Sequence, residues 1–468
     1  MEKAGAKRSR PNIVLILADD MGYGDFSRFN GGLSQTPTLD ALIDESVCLT
    51  QHYTASPVCN PSRAALLTGR YPHRTGSIDT LEWRGLERLA LRETTLAEVF
   101  QRAGYATGLV GKWHLGAFDS RYHPNARGFD EAVCFRGGMH DYYNWRLEYN
   151  EQVVRADGRY LTDLFTEEAV QFITRHQKDP FFLHLAYNAP HTPLQVPEES
   201  IRPFQDTSIT QAVRTLYGMV ARMDAGVARI LETLRRSGLE ENTLVLFSSD
   251  NGPQFSGTGE DSLVRFNCGF NGAKGTVYEG GIKVPAIVRW PEGLPGGSTC
   301  DRMVHFTDWF PTLLAASDLE PPEHLALDGL NVLPVLQGDI GTVDTVRFWQ
   351  WNRYTPVPFC NAAMRDGPWK LAFPAIHEAM QVPDIHWLDV SMYNPEQFIE
   401  HGLVTDPEPH RTVPDPHEPE LYNLDDDPLE RNNLAATQPE RVETMTWVLS
   451  SWFEEVEQER MTIGEDSY

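Results

Sequence analysis

Adjacent hard oxygen donors stand at two places, each directly after an apolar run. Asp19-Asp20 follows Asn12-Ile13-Val14-Leu15-Ile16-Leu17, and Asp250-Asn251-Gly252 follows Thr243-Leu244-Val245-Leu246-Phe247-Ser248-Ser249. Two neighbouring carboxylates repel each other unless a cation neutralises them, and Asp and Asn oxygens are hard ligands suited to Ca²⁺ or Mg²⁺. Taken alone, each pair is more often a loop cap or a turn. A third feature is Cys59-Asn60-Pro61-Ser62-Arg63-Ala64-Ala65-Leu66-Leu67-Thr68-Gly69-Arg70. Ser62 to Leu67 can start a helix with Pro61 near its first turn. Cys59 then sits at the positive end of that helix, where an anion is favoured. A lone cysteine is ordinarily a small buried hydrophobe, so its meaning depends on context.

The elements that must carry these residues read as strands and helices in alternation. The run at 12–17 is apolar throughout, as a central parallel strand covered on both faces requires. Ala106 to Lys112 reads as a short strand running into a loop, and Phe181-Phe182-Leu183-His184-Leu185-Ala186-Tyr187 as another buried strand. Helical spacing covers about 36–47 and 94–104, and runs from 211 to 237 until Gly238 stops it. This alternation predicts a mostly parallel, doubly wound α/β sheet, and such sheets bind ligands at the carboxyl ends of their strands. From about residue 340 short aromatic strands (346–351, 361–365, 368–373) and a last amphipathic helix at about 438–459 predict a smaller α+β subdomain. The stretch 374–418, rich in Pro, His, Asp and Met without a period, reads as a long loop excursion. The division is a domain over 1–340 and a C-terminal subdomain over 341–468.

The twelve residues from Cys59 to Arg70 resemble the type I sulfatases, whose C-x-P-S-R-x-x-x-L-T-G-R signature directs oxidation of the cysteine to formylglycine. The match is complete, and the resemblance covers roughly residues 11–335 plus a tail at Leu421-Tyr422-Asn423-Leu424-Asp425-Asp426-Asp427-Pro428. It implies an alkaline-phosphatase-like fold: a large mixed sheet flanked by helices, with a smaller C-terminal sheet. It implies one divalent cation, usually Ca²⁺ with Mg²⁺ as the alternative, held by Asp19, Asp20, Asp250, Asn251 and the modified Cys59. It implies a formylglycine-generating enzyme as a maturation partner. Further family positions match at Lys112 and His114 in Gly111-Lys112-Trp113-His114-Leu115-Gly116, at His191 in Ala189-Pro190-His191-Thr192-Pro193, and at Lys274 in Gly272-Ala273-Lys274-Gly275. Each of these, alone, would be an ordinary surface or core residue.

The implied chemistry accounts for the residue types. Negative oxygens shield a sulfate monoester from attack, so the metal, Lys112, Lys274 and Arg63 must offset that charge. A hydrated aldehyde at position 59 offers two hydroxyls. One, acidified by the metal and Arg63, attacks sulfur; the other, deprotonated by His114, expels sulfate and regenerates the aldehyde. His191 and Lys274 are the candidates to protonate the leaving alcohol. Gly138-Met139-His140-Asp141-Tyr142-Tyr143-Asn144-Trp145, with Arg127-Gly128-Phe129-Asp130, looks like the corresponding stretch of arylsulfatase B-like enzymes, which act on sugar sulfates. His140, Asp141, Tyr142 and Trp145 are therefore expected at a saccharide, with Trp349, Trp351, Arg353, His386 and Trp387 as further contacts from the C-terminal part. The alternatives are a generalist arylsulfatase, a phosphate or phosphonate monoester hydrolase of the same superfamily, and a non-catalytic binder of sulfated glycans.

Composition sets the outer bounds. Of 468 residues, 41% are hydrophobic, which excludes a wholly disordered chain, and no apolar run is long enough to span a membrane. Lys and Arg number 40 against 66 Asp and Glu, a net charge of −26, and nothing more basic than Lys7-Arg8-Ser9-Arg10 occurs, so nucleic acid is excluded as the main partner. The six cysteines show no CxxC pair, against a disulfide framework. No apolar segment precedes residue 12, which makes a cytoplasmic location the expectation, or a periplasmic or secreted one if a leader has been removed.

Overall fold

The run after Arg10 forms the strand Asn12–Ala18, buried along its whole length. Its side chains alternate between two cores. Ile13, Leu15 and Leu17 pack on one face of the sheet, and Val14, Ile16 and Ala18 on the other. That is the arrangement a continuously apolar strand demands. The computed structural model describes residues 10–204, 208–339 and 346–464. The expected division at 340/341 and residues Lys7, Arg8 and Ser9 of the basic stretch lie outside them.

Ten strands form one mixed sheet. Its centre is five parallel strands in the order Thr243–Ser249, Asn12–Ala18, Phe181–Ala186, Ala106–Lys112 and Glu131–Phe135. Ala286–Arg289 runs antiparallel beside Thr243–Ser249 at one side, followed by Val47–Leu49 and Ser298–Cys300. Arg146–Tyr149 and Gln152–Arg155 add an antiparallel hairpin at the other side. Helix Gln211–Arg236 buries Val213, Leu216, Val220, Val227, Ile230 and Leu234, the spacing read from the sequence. Its Asp224 accepts the backbone N–H groups of Thr38 (3.1 Å) and Leu39 (2.8 Å), satisfying the first turn of helix Pro37–Glu45.

A separate antiparallel sheet joins Arg347–Gln350, Ala362–Asp366, Trp369–Phe373 and Glu420–Asn423. Helix Pro439–Arg460 covers it, with Met445, Leu449, Trp452 and Val456 buried against Leu371, Leu421 and Tyr71. All six cysteines are free thiols. Among the described residues no helix is long and apolar enough to cross a membrane.

Two expectations are corrected, and one element is added. The helix read over 36–47 ends at Glu45; Ser46 is extended, and Val47 begins a strand that pairs with Val288. The segment 374–418 is not one loop: it holds a 3₁₀ turn at His377–Met380 and helices Trp387–Tyr393 and Glu396–His401. Those helices are too short for a period to show, yet Trp387, Leu388 and Phe398 pack over Leu81, Trp83 and Phe118. The hairpin over 146–155 was not anticipated; its second strand is largely exposed, so no apolar alternation marks it.

Candidate active site

The carboxyl ends of the central strands deliver Asp19-Asp20, Lys112 and Asp250-Asn251 to one place. Close backbone approach is part of the design. A Cβ at Gly111 (φ 116°) would lie 1.9 Å from the carbonyl oxygen of Ala186, so the strand leading to Lys112 accepts only glycine there. Asp20 and His114 adopt left-handed φ values of 68° and 56°, strained conformations for non-glycine residues and frequent at functional sites.

Helix Cys59–Thr68 meets these strand ends with every residue buried. Thr54 Oγ1 donates to Ser62 Oγ (2.6 Å) and lies 2.7 Å from the carbonyl of Asp250, which fixes the helix start beside that strand end. Asn60 Nδ2 donates to the carbonyls of Glu87 (2.8 Å) and His114 (2.6 Å). Arg63 donates Nε and Nη2 to Asp250 Oδ2 (3.0 and 2.8 Å) and Nη1 to the Lys112 carbonyl (3.2 Å). The helix closes on Gly69 at φ 72°. Beyond it Arg70 is an anchor, paired with Glu93 at 2.7 Å and with Glu459 of the last helix.

One ligand atom each from Asp19, Cys59 and Asp250 lie within 4.8 Å of one another, and so do one each from Asp19, Asp20 and His191. Lys112 Nζ is 2.7 Å from Asp19 Oδ2. Lys274 Nζ is 2.7 Å from Asp20 Oδ1, and His191 Nε2 is 3.6 Å from Asp20 Oδ2. Burial and the neighbouring Asp250 push the Asp19 carboxyl up, while Lys274 and His191 hold Asp20 low against the cost of its burial. Burial, then Lys112 and Arg63, hold His114 well below the usual imidazole range; burial and Lys274 hold His191 at about 3. Burial raises the Cys59 thiol, and Asp20 raises Lys274 despite its burial. Asp19 Oδ1 and Asn251 Oδ1 are buried with no hydrogen-bond partner. Orphaned acceptor oxygens within an acidic cluster are what a hard divalent cation would satisfy.

Cys59, His114, His191 and Lys274 open onto a cleft of about 420 Å³. Its far wall is built from Trp351, Arg353, Ile385 and Leu388, and its sides from Thr80, Glu82, Gln254 and Phe255. Arg353 and Trp351 thus stand where a contact was expected, and His386 is exposed one residue beyond Ile385. His140, Asp141, Tyr142 and Trp145 do not line the cleft, because their polar atoms are committed elsewhere. Asp141 N–H donates to His140 Nδ1 (2.9 Å), and the Asp141 carboxylate accepts from Tyr143, Asn144 and Gln195. Tyr142 Oη lies 2.8 Å from the carbonyls of Asn188 and His191, so it supports the His191 loop from behind. Trp145 Nε1 donates to Arg159, and Trp349 is buried with Nε1 donating to Thr54.

Glu82 was missed. It lies 3.9 Å from His114 Nε2, accepts from the Gly138 N–H, and burial raises its carboxyl. A Cβ at Gly138 would stand 2.7 Å from His114 Cε1, so the Gly137-Gly138 pair was the only sequence sign of close packing there.

Comparison with known proteins gives a consistent set. The sulfatase family profile matches residues 11–319. Over 365 residues the chain is 36% identical to N-acetylgalactosamine-6-sulfatase of Canis lupus familiaris, covering 72% of this chain and 67% of that protein. It is 34% identical to the uncharacterized sulfatase YdeN of Escherichia coli (strain K12) over 381 residues, 70% of this chain and 66% of the other. The matched stretch thus spans about two thirds of these relatives. Among solved structures, Ps i-CgsB superposes with a TM-score of 0.78 at 30% identity, covering 95% of this chain and 93% of its own, and it has also been solved in complex with k-i-k-neocarrahexaose.

Proposed function

Because the chain belongs to the sulfatase family, we propose that it hydrolyses sulfate esters and that its target is a sulfated carbohydrate. One observation carries the reading: Cys59 opens into a cleft at the first turn of a buried helix, among three carboxylates and three cations. The carbohydrate is supported by a cleft whose walls are aromatic and aliphatic, suited to the C–H faces of sugar rings, and by the sugar-directed relatives.

Asp19, Asp20, Asp250, Asn251 and residue 59 would hold a divalent cation, which supplies positive charge opposite the sulfate oxygens. Oxidised to formylglycine and hydrated, residue 59 supplies the attacking hydroxyl. The remaining work falls to the chain's own side chains. Arg63 stays charged and fixes Asp250; Lys112 and Lys274 meet the ester's negative oxygens. His114, held neutral with both ring nitrogens unpartnered, is able to accept a proton. Lys274 keeps its proton and His191 gains basicity once an anion binds beside it, so either can donate to the leaving alcohol. The test pairs mass analysis of the peptide containing residue 59 with turnover of a panel of defined sulfated saccharides. Loss of 18 mass units on converting the thiol to an aldehyde, together with release of sulfate from at least one saccharide, is the expected result. Turnover of aryl sulfates only, or an unmodified thiol in active protein, would overturn it.

A further inference from the structure

Two cations stand on the walls of the cleft, each paired with one buried carboxylate. On a chain of net charge −26, its walls carry Lys274 and Arg353 against a single carboxylate, Glu82, among the described lining residues. Lys274 belongs to the sulfate end through Asp20. Arg353 belongs to the opposite wall, where its anchor is the fully buried Asp79: Nη1 lies 2.9 Å from Asp79 Oδ1 and 2.7 Å from Thr80 Oγ1. The Asp79 carboxylate also accepts the N–H groups of Thr80 (2.7 Å) and Tyr354 (2.8 Å), so it is committed to fixing this corner. One face of the guanidinium stacks over Trp351, 4.9 Å from the ring centre, and Arg411 Nη1 holds the Arg353 carbonyl at 2.9 Å.

All these contacts use Nη1, a flat face or the backbone. The edge carrying Nε and Nη2 meets no acceptor among the described residues, although the side chain is a quarter exposed on the cleft wall. That edge offers two parallel N–H donors, the fork that matches two oxygens of a sulfate or a carboxylate. Its orientation is fixed before any ligand arrives, which lowers the entropy cost of using it. We propose that Arg353 reads a second anionic group, a sulfate or a carboxylate, on the saccharide whose scissile sulfate lies at Cys59, so that the preferred substrate is a doubly charged sugar. This rests on the carbohydrate reading above.

The test uses three matched disaccharides with the same scissile sulfate: one otherwise neutral, one with a second sulfate, one with a uronic carboxylate. The parent protein prefers a doubly charged substrate, and Arg353→Gln reduces that preference roughly 10- to 100-fold, chiefly through KM, as expected for a lost charge-assisted pair. Arg353→Lys recovers only part of it, because an ammonium lacks the fork. The arm that loses more identifies the anion. Calorimetric binding of the same sugars to Cys59→Ala protein gives a readout independent of turnover and shows the same ranking. An equal loss on all three substrates, accompanied by a lower Tm, would make Arg353 a structural strut and overturn the proposal, as would a parent protein with no preference. If the parent cleaves aryl sulfates and none of the sugars, the carbohydrate reading fails first and this inference falls with it.

Discussion

Two clusters of buried charge stand close together in this molecule, built from similar residues and finished differently. In one, Lys370 Nζ lies 3.0 Å from Glu279 and 2.7 Å from Glu430, Tyr53 donates to the second Glu279 oxygen at 2.7 Å, and the Glu279 N–H donates to the second Glu430 oxygen at 2.8 Å. Arg365 completes it by donating to Tyr53 at 2.6 Å. Each carboxylate oxygen faces a donor or a cation, and the cluster ties the small sheet to helix Glu279–Ile282 and to strand His52–Tyr53. In the other, Asp19, Asp20 and Asp250 meet Lys112, Lys274 and Arg63, yet Asp19 Oδ1, Asn251 Oδ1 and both His114 nitrogens have no hydrogen-bond partner among the described residues. A buried polar atom without a partner costs about 1–3 kcal/mol. A folded protein tolerates several together only where something else completes them. Closed clusters therefore read as clamps and open ones as sites.

Four measurements press on that contrast. The largest effect belongs to Cys59→Ser, which should lower turnover by about 10⁵-fold or more, on the scale of nucleophile loss in other hydrolases, because serine lacks the thiol that the proposed conversion to formylglycine would oxidise. Its unfolding midpoint should not move. Lys370→Met, in the clamp, leaves two buried carboxylates uncompensated and should cost about 3–5 kcal/mol in denaturant unfolding, with cation content per chain unchanged by elemental analysis. A fall in cation content would mean the two clusters are not independent. Asp19→Asn should do the reverse. It removes a carboxyl that burial and Asp250 already make reluctant to ionise but that also pairs with buried Lys112 at 2.7 Å, so its cost in chelator should be smaller than that of Lys370→Met. It should also forgo the gain of about 2.7 kcal/mol expected for the parent at a hundredfold excess of calcium over its Kd if calcium is the proposed cation.

The smallest effect concerns buried neutral imidazoles that belong to neither cluster. Burial holds His52 and His184 at about 3. Above pH 6.5 neither the folded nor the unfolded state protonates them. Between 6.5 and about 3 the unfolded chain binds protons that the folded one refuses, so stability declines as pH falls. Each should add a slope of up to about 1.4 kcal/mol per pH unit. Replacing either by Gln should flatten the curve between pH 6 and 4.

Legibility in the sequence followed the same division. Strands buried on both faces announced themselves, since residues 13–17 and 244–247 are apolar throughout and 181–187 is broken only by His184. The residues around the reacting group were equally readable, because Cys59 to Arg70 is one contiguous string whose members each have a task in the fold: Ser62 and Arg63 at the strand ends, Gly69 as the cap, Arg70 on the last helix. The substrate wall was readable only in part: Trp351 and Arg353 were expected and do line the cleft, whereas Thr80, Glu82, Phe255 and Ile385 come from other stretches of the chain and nothing local in them marks it. The aromatic run after Met139 looked like a sugar platform. Its side chains instead hold up their own loop and the one carrying His191.

The burial of Cys59 bears on when its thiol is accessible during synthesis. In the folded protein the residue is 3% exposed, in a cleft also lined by Trp351, some 290 residues later in the chain. At about 5–20 residues per second, the ribosome takes roughly 15–60 s to travel from one to the other. Residues 351–388 therefore leave Cys59 without that part of its cleft for the interval, which is the window the proposed modification would use.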